Sequence, residues 1–161
     1  MTTRMRLGLL AAVCWLGTVS PAVADLTIFA GLQNAPALRP TTGIALGFGL
    51  LIVGWEVEVT RVAQAVDDLA PSLAVGTASV YVQNPIPVSG VQFYGIAGAG
   101  LYRERFENVY ERTDMHAALG GGAKIELAGP LKLRLDYRYF RFRDARAANA
   151  HRAYAGLTLA F

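Results

Sequence analysis

The chain is 161 residues long, 53% hydrophobic and 17% charged, with a formal net charge of +3. One cysteine and two histidines exclude a disulfide scaffold and make a poor metal set, and so small a positive excess excludes a nucleic-acid-binding reading. Beyond the amino-terminal segment no run reaches the ~18 consecutive apolar residues of a membrane helix, so the high apolarity is dispersed along the chain.

Arg4 and Arg6 precede an apolar run from Leu7 to Leu16, followed by Pro21 and the small-residue sequence Ala22, Val23, Ala24. This is the three-part pattern of a secretory leader, with cleavage expected after Ala24. As a membrane anchor the run is short of the roughly 20 residues a spanning helix needs. Val13 and Ala11 suit a lipobox at Cys14 poorly, so the cysteine is expected to leave with the leader, and no thiol chemistry remains in the exported chain. Residues 1–24 are thus the leader and residues 25–161 a single domain, whose net charge falls to +1 without Arg4 and Arg6.

From Leu26 to Gln33, Leu26, Ile28, Ala30 and Leu32 alternate with Thr27, Phe29, Gly31 and Gln33, which predicts a strand. Pro36 and Pro40 make residues 34–42 a loop. Ile44, Leu46, Phe48 and Leu50 then oppose Gly43, Ala45, Gly47 and Gly49, a lane of small residues with room for bulky side chains from across a narrow barrel. A buried helix is disfavoured here because each glycine costs it roughly 1 kcal/mol. After a turn at residues 52–54, Trp55, Val57 and Val59 alternate with Glu56, Glu58 and Thr60. Residues 63–71 form a loop, 72–83 a fourth strand, 84–90 a turn and 91–102 a fifth strand; small residues on both parities leave the facing of these two strands open. Residues 103–113 are the most charged loop. Met115, Ala117, Leu119, Ala123, Ile125 and Leu127 then oppose His116, Gly120, Gly122, Lys124 and Glu126, up to a tight turn at residues 128–130.

The sharpest alternation follows, with Leu131, Leu133, Leu135, Tyr137 and Tyr139 against Lys132, Arg134, Asp136 and Arg138. One face of this strand is apolar and aromatic and the other charged. Residues 143–150 are the last loop, and the chain closes on a strand ending at Phe161. Eight strands joined alternately by short turns and longer polar loops predict an all-β fold, an eight-stranded antiparallel up-and-down transmembrane β-barrel with both termini in the periplasm.

An eight-stranded barrel is just wide enough for side chains to fill it, so the charged faces become an ion-paired plug. Across the turn at 128–130, Glu126 faces Lys132 and Lys124 faces Arg134, with Asp136 diagonal to Lys124. Glu126 with Lys132 is the expected pair. Glu56 and Glu58, on the opposite wall, are the expected partners of Lys124 and Arg134, and the lumen network also includes Arg138. Arg103, Arg105, Arg112, Arg141, Arg143, Arg146 and Arg152 cluster at the loop end. Guanidinium forks bind phosphate bidentately, so this collar is expected to contact lipopolysaccharide, the alternative being an ordinary solvated rim.

These residues resemble the small eight-stranded outer-membrane barrels of the OmpA and OmpX kind, most specifically in GGGAKIEL, LRLDYRYF and YAGLTLAF. The resemblance implies bacterial outer-membrane localisation. It also makes Gly156, Leu159 and Phe161 the glycine, hydrophobic and terminal aromatic positions of an assembly signal read by the barrel assembly machinery. Lipid A deacylases of similar architecture use a His and a Ser two apart on a strand, but His116 is followed by Ala117 and Ala118, and His151 by Arg152 and Ala153. No catalytic residues, metal or cofactor are therefore expected. The expectation is a monomeric, non-enzymatic outer-membrane barrel with a structural or surface-interaction role, whose partners are lipid and lipopolysaccharide. A low-conductance channel is the alternative, with a lipid-modifying enzyme or a soluble periplasmic binding barrel behind it.

Overall fold

The computed structural model describes residues 23–65, 70–106, 110–143 and 149–161, so most of the expected leader lies outside the described residues. Eight strands run in chain order: β1 (Val23–Gln33), β2 (Arg39–Leu50), β3 (Val53–Val62), β4 (Ser72–Gln83), β5 (Val91–Phe106), β6 (Tyr110–Ala128), β7 (Leu131–Phe142) and β8 (Asn149–Ala160). Each pairs antiparallel with its chain neighbours, and β8 closes on β1 to complete the barrel. At the closing seam, Asp25 lies opposite Ala160 and the Thr27 and Thr158 hydroxyls hydrogen-bond at 2.8 Å. Ala24 and Phe161 exchange backbone hydrogen bonds beyond it.

Closure leaves no sheet edge, so every strand can satisfy its backbone within the wall, which is what a hydrocarbon environment demands. The period-two patterns follow from the same geometry, with one face of each strand turned to the lumen and the other outward. The outer wall is apolar: Ile28, Ile44, Val57, Val59, Leu119 and Leu157 are all exposed there. Phe48, Trp55 and Phe93 form an aromatic band near the turn end, while Tyr137 and Tyr139 stand closer to the loop end. The buried positions instead include most of the charged strand residues, among them Glu56, Glu58, Arg134, Asp136 and Arg138, together with an aromatic and aliphatic set. A protein with its polar residues inside and its large hydrophobics outside is inverted relative to a water-soluble fold.

Several boundaries differ from the sequence reading. The β2–β3 turn is Leu51–Ile52, with Leu51 in the left-handed region (φ 43°), and Gly54 already belongs to β3. The charged stretch at 103–113 is largely strand, since β5 continues to Phe106 and β6 begins at Tyr110. These extensions rise past the apolar belt into a region where both strand faces are polar, so they lack the alternation that reveals a strand. At the β6–β7 turn the register shifts between Glu126 and Ala128: Ala128, and not Leu127, lies opposite Leu131.

The structure also orients the two undecided strands. On β4, Leu73, Val75, Thr77, Ser79 and Tyr81 point inward; on β5, Tyr94, Ile96, Tyr102 and Glu104 do. The small-residue lane on β2 is occupied mainly by adjacent strands. A Cβ on Gly43 would collide with the Phe29 ring and one on Gly47 with Asp25 Oδ1, both side chains coming from β1.

Candidate functional site

The lumen is filled in three storeys. At the turn end, Lys124 on β6 donates to Asp25 on β1, and its ammonium lies 5.1 Å from the centre of the Tyr81 ring. A vestibule of about 300 Å³ opens beside this pair, lined by Gln83, Gln92 and Lys132 among others.

The middle storey is a network of arginines and carboxylates from β3, β7 and β8. Arg134 donates to Glu56 across the lumen and, at 3.1 Å, to Asp136 on its own strand. Arg138 donates to Glu56 at 2.7 Å and to Asp136 at 2.9 Å, and lies 3.2 Å from Glu58. Arg152 on β8 completes the chain, with Nη2 2.7 Å from Glu58 and Nη1 donating to Thr60 at 2.9 Å. The Tyr94 hydroxyl donates to Asp136 at 2.5 Å and accepts from Arg134 at 2.7 Å. Planar guanidinium forks suit this arrangement because one arginine can serve two or three acceptors, which the compact charge of a lysine does less well. It accounts for arginine at 134, 138 and 152, whereas Lys124 meets a single carboxylate.

The storey nearest the loop end is apolar, built from Val62, Leu73, Val75, Tyr102, Phe140 and Phe142. His116 packs against Phe140 and Phe142, its Nε2 3.0 Å from the Thr77 hydroxyl. Above this layer, buried Arg39 binds the carbonyls of Ala35, Ala63 and Pro71, tying the β1–β2 and β3–β4 connections over the mouth.

Measured against the sequence reading, Glu56, Glu58, Lys124, Arg134, Asp136 and Arg138 converge in the lumen. Glu126 and Lys132 are opposite in register, yet Glu126 is exposed and the two form no ion pair. Both stand beside the turn at the wet rim, where an ion pair gains little. Lys124 takes Asp25 in place of the glutamates expected from across the barrel. Arg152 is a second correction, because it faces inward, is 1% exposed and binds Glu58, and so does not belong to the outer collar. Arg146 lies outside the described residues. Of the remaining collar, Arg103 and Arg105 engage Glu111, Arg112 engages Asp114, and Arg141 and Arg143 are exposed. The Asp114 carboxyl is held below its usual range, chiefly by the Met115 amide it accepts.

Asp25, Tyr81, Tyr94, Thr60 and Arg39 are the participants the sequence reading missed. Asp25 was legible, being in phase with Thr27 and Phe29, but it adjoins the expected cleavage point. The tyrosines sit on the two strands whose facing small residues obscured.

For chemistry, the described residues offer little. His116 is buried in the lumen, and His151 lies on the outer wall with its Nδ1 2.6 Å from the Tyr137 hydroxyl; neither ring is hydrogen-bonded to a carboxylate. Among the described residues, no group of three or more His, Cys, Asp or Glu side chains is placed to hold a metal ion.

No family model and no curated protein matches the sequence. Solved structures do. The chain superposes on the N-terminal β-barrel domain of Pseudomonas aeruginosa OprF with a TM-score of 0.67 at 14% identity, covering 88% of this chain and 100% of that one. For Neisserial surface protein A the TM-score is 0.69 at 16% identity, covering 88% and 98%. The fold is that of the eight-stranded outer-membrane barrels. Barrels of this fold include the outer membrane enzyme PagL, with a TM-score of 0.54 at 10% identity over 84% of this chain and 98% of that one. Shared architecture therefore does not decide whether a barrel is catalytic, which has to be argued from side chains.

Proposed function

We propose that this chain is a non-enzymatic integral outer-membrane protein, a closed barrel that contributes to envelope integrity or presents its loop end to external partners. The observation that carries the reading is the inversion of the wall, with exposed Ile, Leu, Val and aromatic side chains outside and an ion-paired lumen inside. An apolar belt of this kind needs lipid to cover it, and a lumen filled by arginine–carboxylate contacts and by Phe140 and Phe142 favours a plug over an open pore. In this orientation the short turns and the vestibule face the periplasm and the Arg39-tied connections face outward.

Fractionation with heat-modifiable migration tests the membrane reading, since recovery as a soluble periplasmic protein would overturn it. Planar-bilayer recording tests the plug: the expected result is no discrete conductance, and robust single-channel steps would favour the channel. The arginine collar supports a second element of the proposal, contact with lipopolysaccharide phosphates through Arg103, Arg105, Arg112, Arg141 and Arg143. Arg141→Ala with Arg143→Ala is expected to weaken lipopolysaccharide binding, and unchanged affinity would remove that element.

A further inference from the structure

The outer wall carries a groove of about 670 Å³ that runs from Leu133 on β7 across β8, β1 and β2 to β3. Its trough is a row of small residues set by the strand register. Ala155 lies opposite Ala30, Ala30 opposite Thr42, and Thr42 opposite Arg61. The adjacent row, Leu157, Ile28, Ile44 and Val59, stands beside it as an exposed apolar ridge. The row climbs as it crosses the strands. Ala155 lies five residues from the turn-end limit of β8 at Ala160, whereas Arg61 lies one residue from the loop-end limit of β3 at Val62.

Arg61 is what gives the trough a chemical direction. It faces outward, is exposed, and its guanidinium has no hydrogen-bond, ion-pair or ring partner among the described residues. The flanking residues in its row, Thr42 and Ala74, carry no charge. The other outward arginine of that row, Arg103 beyond Ala74, is already held by Glu111. A cation with no partner among the described residues, at the headgroup end of an apolar trough, complements a lipid with a phosphate at one end and a saturated chain at the other.

We propose that this groove is a binding site for one phosphate-bearing lipid, its phosphate on Arg61 and one acyl chain lying along Thr42, Ala30 and Ala155. The site rests on the membrane reading above but is distinct from the arginine collar, and it predicts a retained lipid in place of a passing annular one. A second outer groove, between β5 and β8 and lined by Gly121, Ala123, Leu135 and Ala153, has no arginine in its lining and serves as an internal control.

The test is native mass spectrometry of the detergent-purified barrel with added dipalmitoyl phosphatidic acid, alongside dipalmitoylglycerol, which lacks the phosphate, and glycerol phosphate, which lacks the chains. The expected result is one retained phosphatidic acid and retention of neither control. Arg61→Ala should lower retention about tenfold, as loss of a charge-assisted contact would. Ala30→Leu with Ala155→Leu, both outward-facing substitutions, should block the trough to a similar extent, while Ala123→Leu leaves retention unchanged. Equal retention by Arg61→Ala, equal retention by the filled-groove variant, or equal capture of dipalmitoylglycerol would each overturn the proposal. Insertion of the same samples into phospholipid vesicles keeps the two readings separate: a barrel that inserts normally but retains no lipid loses the groove alone, and one that does not insert loses the membrane reading.

Discussion

Replacing Glu56 by glutamine is the most direct probe of the lumen. Glu56 accepts three hydrogen bonds from two guanidinium groups, two from Arg134 and one from Arg138, and the side chains of all three residues are 1% exposed. Among the described residues the buried carboxylates Asp25, Glu56, Glu58, Glu104 and Asp136 balance Arg39, Lys124, Arg134, Arg138 and Arg152, so Glu56→Gln leaves one uncompensated cation inside the wall. Breaking a buried pair from one side costs about 3–5 kcal/mol. Two opposing considerations place the loss within that window. Three charge-assisted bonds at about 1.5 kcal/mol or more each push it upward. Asp136 and Tyr94 remain bonded to Arg134, and Asp136 and Glu58 to Arg138, which pulls it down. About 3–4 kcal/mol is expected, read as a shift in the urea midpoint for unfolding from phospholipid vesicles at unchanged slope. Arg134→Met in the same background should recover part of the loss, with a coupling of about 1–3 kcal/mol between the two sites. A single variant within about 0.5 kcal/mol of the parent, the range of an inert surface change, would refute the reasoning, as would strict additivity in the double variant.

Arg152→Ala should destabilise the barrel by about 3–5 kcal/mol in the same titration, through loss of its Glu58 and Thr60 contacts. Lipopolysaccharide binding by that variant should be unaltered, unlike that of the Arg141 and Arg143 variants. Arg39→Ala leaves the carbonyls of Ala35, Ala63 and Pro71 without their donor and should cost about 1–3 kcal/mol. Faster limited proteolysis between β3 and β4 would show it, and an unchanged cleavage rate would count against the tie. Deleting Phe161 removes the terminal aromatic and its backbone exchange with Ala24, and is expected to lower the heat-modifiable fraction in whole cells. Normal assembly of that variant would contradict the assembly-signal reading.

How much of this was legible depended on contrast between parities. On β7 the contrast is complete from Lys132 to Arg138, and the facing of Arg134, Asp136 and Arg138 follows from the sequence alone. It disappears at Tyr139 and Phe140, adjacent aromatics that point to opposite sides, so the apolar upper storey was invisible. Arg152 was misplaced for a related reason: Ala150, Tyr154 and Gly156 inward against Ala153 and Ala155 outward offer no chemical difference to read. Facing is local information, whereas partnership is not. Lys124 meeting Asp25 joins β6 to β1 across the lumen, and the stagger of the closed barrel that brings them level cannot be obtained from either strand by itself.

The interlocked arginines also act as an error check on strand alignment. A slip of β7 by one residue would reverse every side chain on it, turning Arg134, Asp136 and Arg138 toward hydrocarbon and Leu135 and Tyr137 into the lumen. An arginine on the lipid face near the midplane costs about 2–4 kcal/mol, and the stranded Glu56 and Glu58 add their own unpaired burial. Ions that add little to stability once correctly matched therefore make misaligned closures expensive, and the barrel gains a single admissible register from the charges packed in its lumen.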